Sequence, residues 1–401
     1  MENANFQIRN LSSEDLDQYN ELLRYAFQIT EKTLLEVGWE NDDILQSKFP
    51  VLEHAYVLGC FDADNLVSQF AVYPLNMNIH SAIYPIGFIT SVATYPEYIG
   101  MGLMSKLMRQ SLLNMKETGQ TLALLYPYSI PLYRHHGWEI ISDKMTYKIS
   151  DRQLPKNIEV PGYVRRVPED NADLFNLHSR FATTTHGCLI RNELAWEEYW
   201  RWDEDDTNVA IYYNAEDTPM GYMVYLIEDD IFHIKEVIHL NNEAMRGLLK
   251  YIRAHDSMID EVQGNNYYSE PIAFNFEDSE IKETIRPYIM GRIIDFEAFI
   301  AEYNFEKDVD GVSVTFDVDD SFLEWNNKRF TVAINNGKGH LVEKESKYKV
   351  SLTIGTLTTL LLGYKRASEL ARIERIEATD ETIRMIDKAI IESKPYISDY
   401  I

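Results

Sequence analysis

The sequence predicts a three-part chain: an α/β first part, a middle that repeats its logic less plainly, and an α+β last part. Three observations predict it. Strand-like apolar runs alternate with helix-period stretches through the first third. The strand–turn–strand–helix order returns in the middle, in Tyr225 to His255. Two-residue alternation then takes over in the last hundred residues. A chain of 401 residues has room for two or three domains, each with its own core.

Ser12-Ser13-Glu14-Asp15 reads as a helix start, Ser12 capping and Asp15 reaching back, before Leu16, Tyr19, Leu23 and Phe27 at helical spacing. Ala55 to Phe61 and Leu66 to Val72 read as adjacent strands across an Asp62–Asn65 turn. Ile86 to Ala93 is a strand running into Tyr95-Pro96. After a glycine-bearing turn, Leu103, Leu107, Met108, Leu112 and Met115 trace one helix face, which Gly119 ends. Thr121 to Leu125 is a further strand. In the middle, Val209 to Tyr213 and Gly221 to Ile227 are strands, but no glycine-rich turn precedes the helix that follows. In the last part Val312 to Val318, Phe330 to Ile334 and Tyr348 to Ile354 alternate, Asn336-Gly337 marks a turn, and helices follow at 356–362 and 380–391. An antiparallel sheet is expected there.

Composition narrows the function. Apolar residues at 45% and charged ones at 25% exclude a disordered chain. The amino terminus shows no basic stretch followed by an apolar run, and no segment reaches the roughly 18 apolar residues of a membrane helix. Cys60 and Cys188 make neither a disulfide framework nor a metal-ligand spacing, so buried thiols, a cytoplasmic setting and no metal are expected. The net charge of −26 repels nucleic acid and anionic membranes and attracts cations, although solubility alone would also explain it.

The chemistry concentrates in Thr90-Ser91-Val92-Ala93-Thr94-Tyr95-Pro96-Glu97-Tyr98-Ile99-Gly100-Met101-Gly102-Leu103-Met104. A strand ends, a short turn follows and a helix begins. The free N–H groups at a helix start bind phosphate without basic side chains, and glycine lets the backbone come close. A plain strand–turn–helix link has the same spacing. The segment resembles the acetyl-CoA motif of the GNAT acetyltransferases, Arg/Gln-x-x-Gly-x-Gly/Ala. Ile99 replaces the Arg/Gln, Gly102 matches the central glycine, and Met104 replaces the last small residue. A second segment, Tyr133-Arg134-His135-His136-Gly137-Trp138, resembles that family's Tyr-x-x-x-Gly-aromatic signature. His135 and His136 have no nucleophile partner in a motif and read as surface or loop histidines.

The resemblance extends over the whole chain, to the Eis-like (enhanced intracellular survival) acetyltransferases. It implies tandem GNAT domains, the second degenerate, and a sterol-carrier-protein-like α+β domain, at 1–151, 152–290 and 291–401. It implies Tyr133 as the acid that protonates the leaving thiolate and the terminal carboxylate of Ile401 as the base. It implies acetyl-CoA contacts from Val92, Ala93, Thr94, Gly100, Met101, Gly102, Leu103, Met104 and Ser105, and more weakly from Tyr128 and Ser129. Trp39, Phe27 and Asp399 are candidates to line an amine pocket. The acceptor is expected to be a primary amine on a cation, aminoglycoside- or polyamine-like, and the chain a homo-oligomer, a hexamer by resemblance. Two rival readings remain: acetylation of a protein lysine or N-terminal amine, and a GNAT fold that binds acyl-CoA or lipid without catalysis.

Overall fold

The structure, a computed structural model, describes residues 6–36, 41–201 and 207–400. The start of the chain follows local rules. Asp15 accepts from the Ser12 N–H at 2.9 Å, completing the expected capping box before helix α1, Leu16–Phe27. Tyr19, Leu22 and Leu23 turn inward, whereas Phe27 lies at the exposed end.

Three sheets carry the architecture. The first runs in the order β1 (Gln7–Asn10), β2 (Tyr56–Asp62), β3 (Asn65–Ile79), β4 (Ala82–Thr94), β5 (Leu122–Leu125), then Met290–Ile293 and Glu139–Ile140. Strands β1 to β4 are antiparallel, and β4 and β5 run parallel. The crossover between those two contains the helix Leu103–Glu117, which buries Leu103, Leu107, Met108, Leu112 and Met115 as their spacing requires. A strand from much later in the chain, Met290–Ile293, lies between β5 and Glu139–Ile140.

The second sheet is ordered Lys282–Pro287, Asp143–Ser150, Glu261–Asn266, Ile231–His239, Pro219–Glu228, Asn208–Tyr213, Tyr163–Val167. It repeats the first: Ile231–His239 and Glu261–Asn266 are parallel, with the helix Asn242–Arg253 between them. The third sheet is ordered Lys338–Val342, Arg329–Asn335, Val312–Asp319, Tyr348–Thr353, Glu377–Ala378. It corrects the expectation of an antiparallel sheet, because Val312–Asp319 and Tyr348–Thr353 run parallel. Alternation fixes which face a side chain occupies, not the direction of the neighbouring strand.

After the helix Asp380–Ala389 the chain runs without regular structure to residue 400, yet Pro395, Tyr396, Ile397 and Asp399 are buried. This tail packs into the body. The Tyr396 N–H donates to the His186 carbonyl, and the Tyr288 hydroxyl donates to the Asp399 carbonyl at 3.0 Å. Both cysteines are free and buried. No described helix is long and apolar enough to cross a membrane.

Candidate active site

Pairing between β4 and β5 ends at Ile89–Leu125. Beyond that point β4 continues against β3 alone, and it bulges: Thr90 pairs Ala71 and Ala93 pairs Gln69, leaving Ser91 and Val92 opposite the single residue Phe70. Ser91 takes a left-handed φ of 54°, and its hydroxyl accepts from buried Tyr19 at 2.9 Å. The Ser68 hydroxyl bonds the Ala93 carbonyl and the Thr94 hydroxyl, at 3.1 and 2.7 Å. The bulge is thus fixed from one side, while the other side parts from β5.

The chain then turns through Pro96–Tyr98 to Gly102, which caps the helix Leu103–Glu117 at φ 73° with no side-chain hydrogen bond to the first turn. Gly100 has φ 86°. A Cβ at either glycine meets nothing within 4 Å, so the turn's backbone is bare on its outer side. A bare helix start with left-handed glycines suits a pyrophosphate. Ala93 and Leu103 are buried and offer only backbone. Val92, Thr94, Met101, Met104 and Ser105 are half-buried, and Ile99 is exposed. The helix Asn242–Arg253 of the second sheet differs, since Asn241 accepts from the Ala244 N–H at 2.8 Å. There a side chain occupies the place an anion would take.

Tyr133 sits on the short helix Ile130–His135 with Ser129 as its cap, and its ring is buried with Met108, Leu125 and Trp138. Burial pushes its phenol up to about 12, so it carries its proton at neutral pH. Among the described residues its hydroxyl has no hydrogen-bond partner. The helix ends at Gly137, with the Trp138 N–H returning to the Tyr133 carbonyl at 3.1 Å. His136 lies in the turn after that helix, a loop histidine as expected, but buried rather than at the surface. Its Nε2 lies 2.9 Å from the Ser105 hydroxyl and its Nδ1 2.9 Å from the Leu132 carbonyl, tying the glycine turn's helix to the Tyr133 helix. His135 is exposed, and so is Tyr128.

A cavity of about 930 Å³ opens where β4 and β5 part. Thr90, Ser91 and Tyr126 line it beside that parting. Phe27 and Arg24 of α1, Ser398 and Tyr400 of the tail, and one face of the second sheet complete it. The rings of Tyr288, Tyr126 and Tyr400 form a row, with centroids 5.7 and 5.2 Å apart. Of the three residues suggested for an amine pocket, Phe27 lines this cavity. Asp399 lies beneath it, bonded through Oδ1 to Arg191 Nε at 2.6 Å. Trp39 and Ile401 lie outside the described residues.

Sequence reasoning missed the group that seats the tail. Arg191, Glu236 and Asp399 are buried together, and Arg191 also grips Glu236 through both terminal nitrogens, at 2.7 and 3.1 Å. Burial alone would raise Glu236, but Arg191, with Tyr222, holds it at about 2. Asp399 is raised by burial, and its Oδ2 has no partner among the described residues. One guanidinium between two carboxylates leaves Asp399 the weaker-held anion. No spacing announces this group, because its members lie 45 and 208 residues apart. With Asp399 as a candidate, a free carboxylate in the lining was expected. Instead both acidic lining residues are already engaged: Glu236 as above, and Glu198 with Tyr73, Lys48 and Arg201.

Three family models match stretches of the chain. Residues 7–141 match a GNAT acetyltransferase domain, 187–293 a second GNAT acetyltransferase domain, and 296–398 a sterol carrier protein domain. An N-acetyltransferase of Streptomyces avermitilis is 23% identical over 86% of this chain and 88% of its own length. The N-acetyltransferase Eis of Mycobacterium bovis is 20% identical over 78% of this chain and 80% of its own. A solved structure from Enterococcus faecalis, a probable N-acyltransferase, superposes with a TM-score of 0.89 at 25% identity, covering 99% of this chain and all of that one. With two GNAT acetyltransferase domains and a sterol-carrier domain in this order, the chain is a GNAT acetyltransferase of Eis-like layout.

Proposed function

We propose that the protein transfers an acetyl group from acetyl-CoA to a primary amine. The observation that carries this is a single junction. Where β4 and β5 part, the half of β4 freed from β5 runs from the cavity, at Thr90 and Ser91, toward the bare glycine turn. Acetyl-CoA supplies the activated acetyl thioester. The N–H groups of Gly102 to Ser105 would hold its pyrophosphate, and the contacts at Val92 to Thr94, Gly100, Met101, Tyr128 and Ser129 would hold the rest. The bulged backbone near Val92 and Ala93 would polarise the thioester carbonyl. The Ile401 carboxylate takes the amine proton, and Tyr133 returns a proton to the departing sulfur. Burial of the tail as far as Asp399, with Tyr400 lining the cavity, supports the first role, and the raised phenol of Tyr133 supports the second. For this reading the chain is divided at 151 and 290.

The test is free-thiol release from acetyl-CoA with a panel of amines: a polyamine, an aminoglycoside, a lysine peptide and simple amines. The net charge of −26 would draw cationic acceptors toward the protein at low salt. Acid–base help is worth roughly 10² to 10⁴ in rate. Tyr133→Phe should therefore lower kcat within that range while acetyl-CoA affinity stays the same. Unchanged turnover removes Tyr133 from the reaction. A residue added after Ile401 should likewise depress turnover. Tight acetyl-CoA binding with no thiol release for any amine would favour a binding protein. A cytoplasmic homo-oligomer, hexameric by resemblance, completes the reading; light scattering measures the assembly.

A further inference from the structure

The charged groups on the cavity wall do not match a purely cationic acceptor. Lys144 lies in the strand Asp143–Ser150 and Arg286 in Lys282–Pro287, and the register pairs them directly. Cross-strand partners stand about 5 Å apart at Cβ, and like charges so placed destabilise a sheet. Neither has a carboxylate partner among the described residues. Arg24 of α1 faces the same cavity, also without one. The two lining carboxylates are neutralised within the wall, as described above. In a chain of net charge −26, two adjacent cations with no carboxylate partner among the described residues mark the cavity wall as an anion site.

The wall offers more than charge. Thr146 and Asn265 are direct cross-strand partners lining the same cavity, and Thr146 lies two residues from Lys144 on the same strand face. A hydroxyl and an amide there can donate to oxyanions beside the two cations. The Lys144 ammonium lies 5.7 Å from the Tyr288 ring centroid and 5.9 Å from that of Tyr267. Tyr288 begins the row of rings that leads through Tyr126 to Tyr400. The cation pair and the parting of β4 and β5 are therefore opposite ends of one path.

We propose that the acceptor is an amine whose far end carries a carboxylate or phosphate, held by Lys144 and Arg286 with Thr146 and Asn265, while its amine reaches the Tyr126–Tyr400 end. This rests on the acetyltransferase reading, and it replaces the expectation of a cationic acceptor with a zwitterionic one. Burial lowers the Lys144 pKa, and a bound anion would restore the preference for the charged form.

Four amines of equal length separate the possibilities: 6-aminohexanoate, 6-aminohexyl phosphate, 6-amino-1-hexanol and 1,6-diaminohexane. Thiol release should give the two anionic amines a kcat/KM at least ~10-fold above the alcohol, the gain expected of charge-assisted hydrogen bonds. Whichever anionic amine leads identifies carboxylate or phosphate as the group held. In Lys144→Gln/Arg286→Gln that ratio should fall to about 1, and Lys144→Arg/Arg286→Lys should restore it. Equal use of all four, preference for the diamine, or a ratio that survives in the Gln pair overturns the proposal. If no amine is turned over, the acetyltransferase reading has failed, and calorimetry decides the site separately. Binding of 6-aminohexanoate or 6-aminohexyl phosphate to the wild-type chain, lost in the Gln pair, supports it. No binding to the wild-type chain overturns it.

Discussion

Gly137 shows how much one residue can carry. Its φ of 84° already favours glycine, and a Cβ there would lie 1.7 Å from Arg292 Nη1. That guanidinium is buried, donates to the His136 carbonyl, and pairs with Asp320 of the third domain through two bonds of 2.7 and 2.8 Å. The left-handed conformation alone costs an alanine roughly 1–2 kcal/mol, and displacing Arg292 adds to it. Gly137→Ala should lower the urea midpoint clearly and depress turnover, because Tyr133 sits one helical turn away. An unchanged midpoint would show that Arg292 has somewhere else to go. The motif's spacing was legible in the sequence. Its reason was not, since Arg292 lies 155 residues further along and nothing local points to it.

At the scale of elements, the strand and helix faces were legible because they are short-range patterns: five of the six buried positions of Leu103–Glu117 were marked by apolar spacing, all but the polar Ser111. The bulge at Ser91, the sheet partners and the cation wall were not, because each depends on which strand arrives alongside. The glycine turn gives a sharp test. Asp is among the residues that best tolerate a left-handed backbone, and as an N-cap it offers about 1 kcal/mol of compensation. Gly102→Asp should keep the fold while placing a carboxylate where the pyrophosphate belongs, much as Asn241 fills its own helix start. Its acetyl-CoA Kd should rise at least ~10-fold by calorimetry, equivalent to about 1.4 kcal/mol. Unaltered affinity would move the cofactor elsewhere. The tail offers a second contrast. Arg191→Met strands two buried carboxylates and should cost about 3–5 kcal/mol in urea unfolding. Asp399→Asn removes the weaker-held charge and should cost much less. Equal losses would show that Arg191 seats Asp399 as firmly as it does Glu236.

The whole molecule is joined at a histidine pair. His80 and His186 stack with centroids 3.8 Å apart, His186 Nδ1 accepts from the His80 N–H, and His186 Nε2 meets the Leu362 carbonyl of the third domain at 3.0 Å. Burial lowers His186 to about 4 and His178 to about 3, with His80 lower still. Unfolded histidines protonate near pH 6.5. Above that pH neither state binds these protons, so stability is full. As pH falls from about 6.5 toward 4 the unfolded chain takes them up and the folded one does not, so stability is lost. Thermal unfolding should show a falling Tm across that window, flattened in a His80→Asn/His186→Asn pair. A Tm flat from pH 6.5 to 4.5 in the wild-type protein would contradict the burial of these rings.

The strand Met290–Ile293 also sets an order of events during synthesis. β5 leaves the ribosome with its outer edge unpaired, and the strand that covers it has not yet been made. At about 5–20 residues per second, the wait is on the order of 10 to 30 s. Through that time the nascent first domain displays an open edge ending in Leu122-Ala123-Leu124-Leu125, an invitation to pair with another chain. A chain released just short of Met290 should therefore aggregate, and one released just past Ile293 should do so less. The enzyme's first domain is finished only when its second has been read almost to the end.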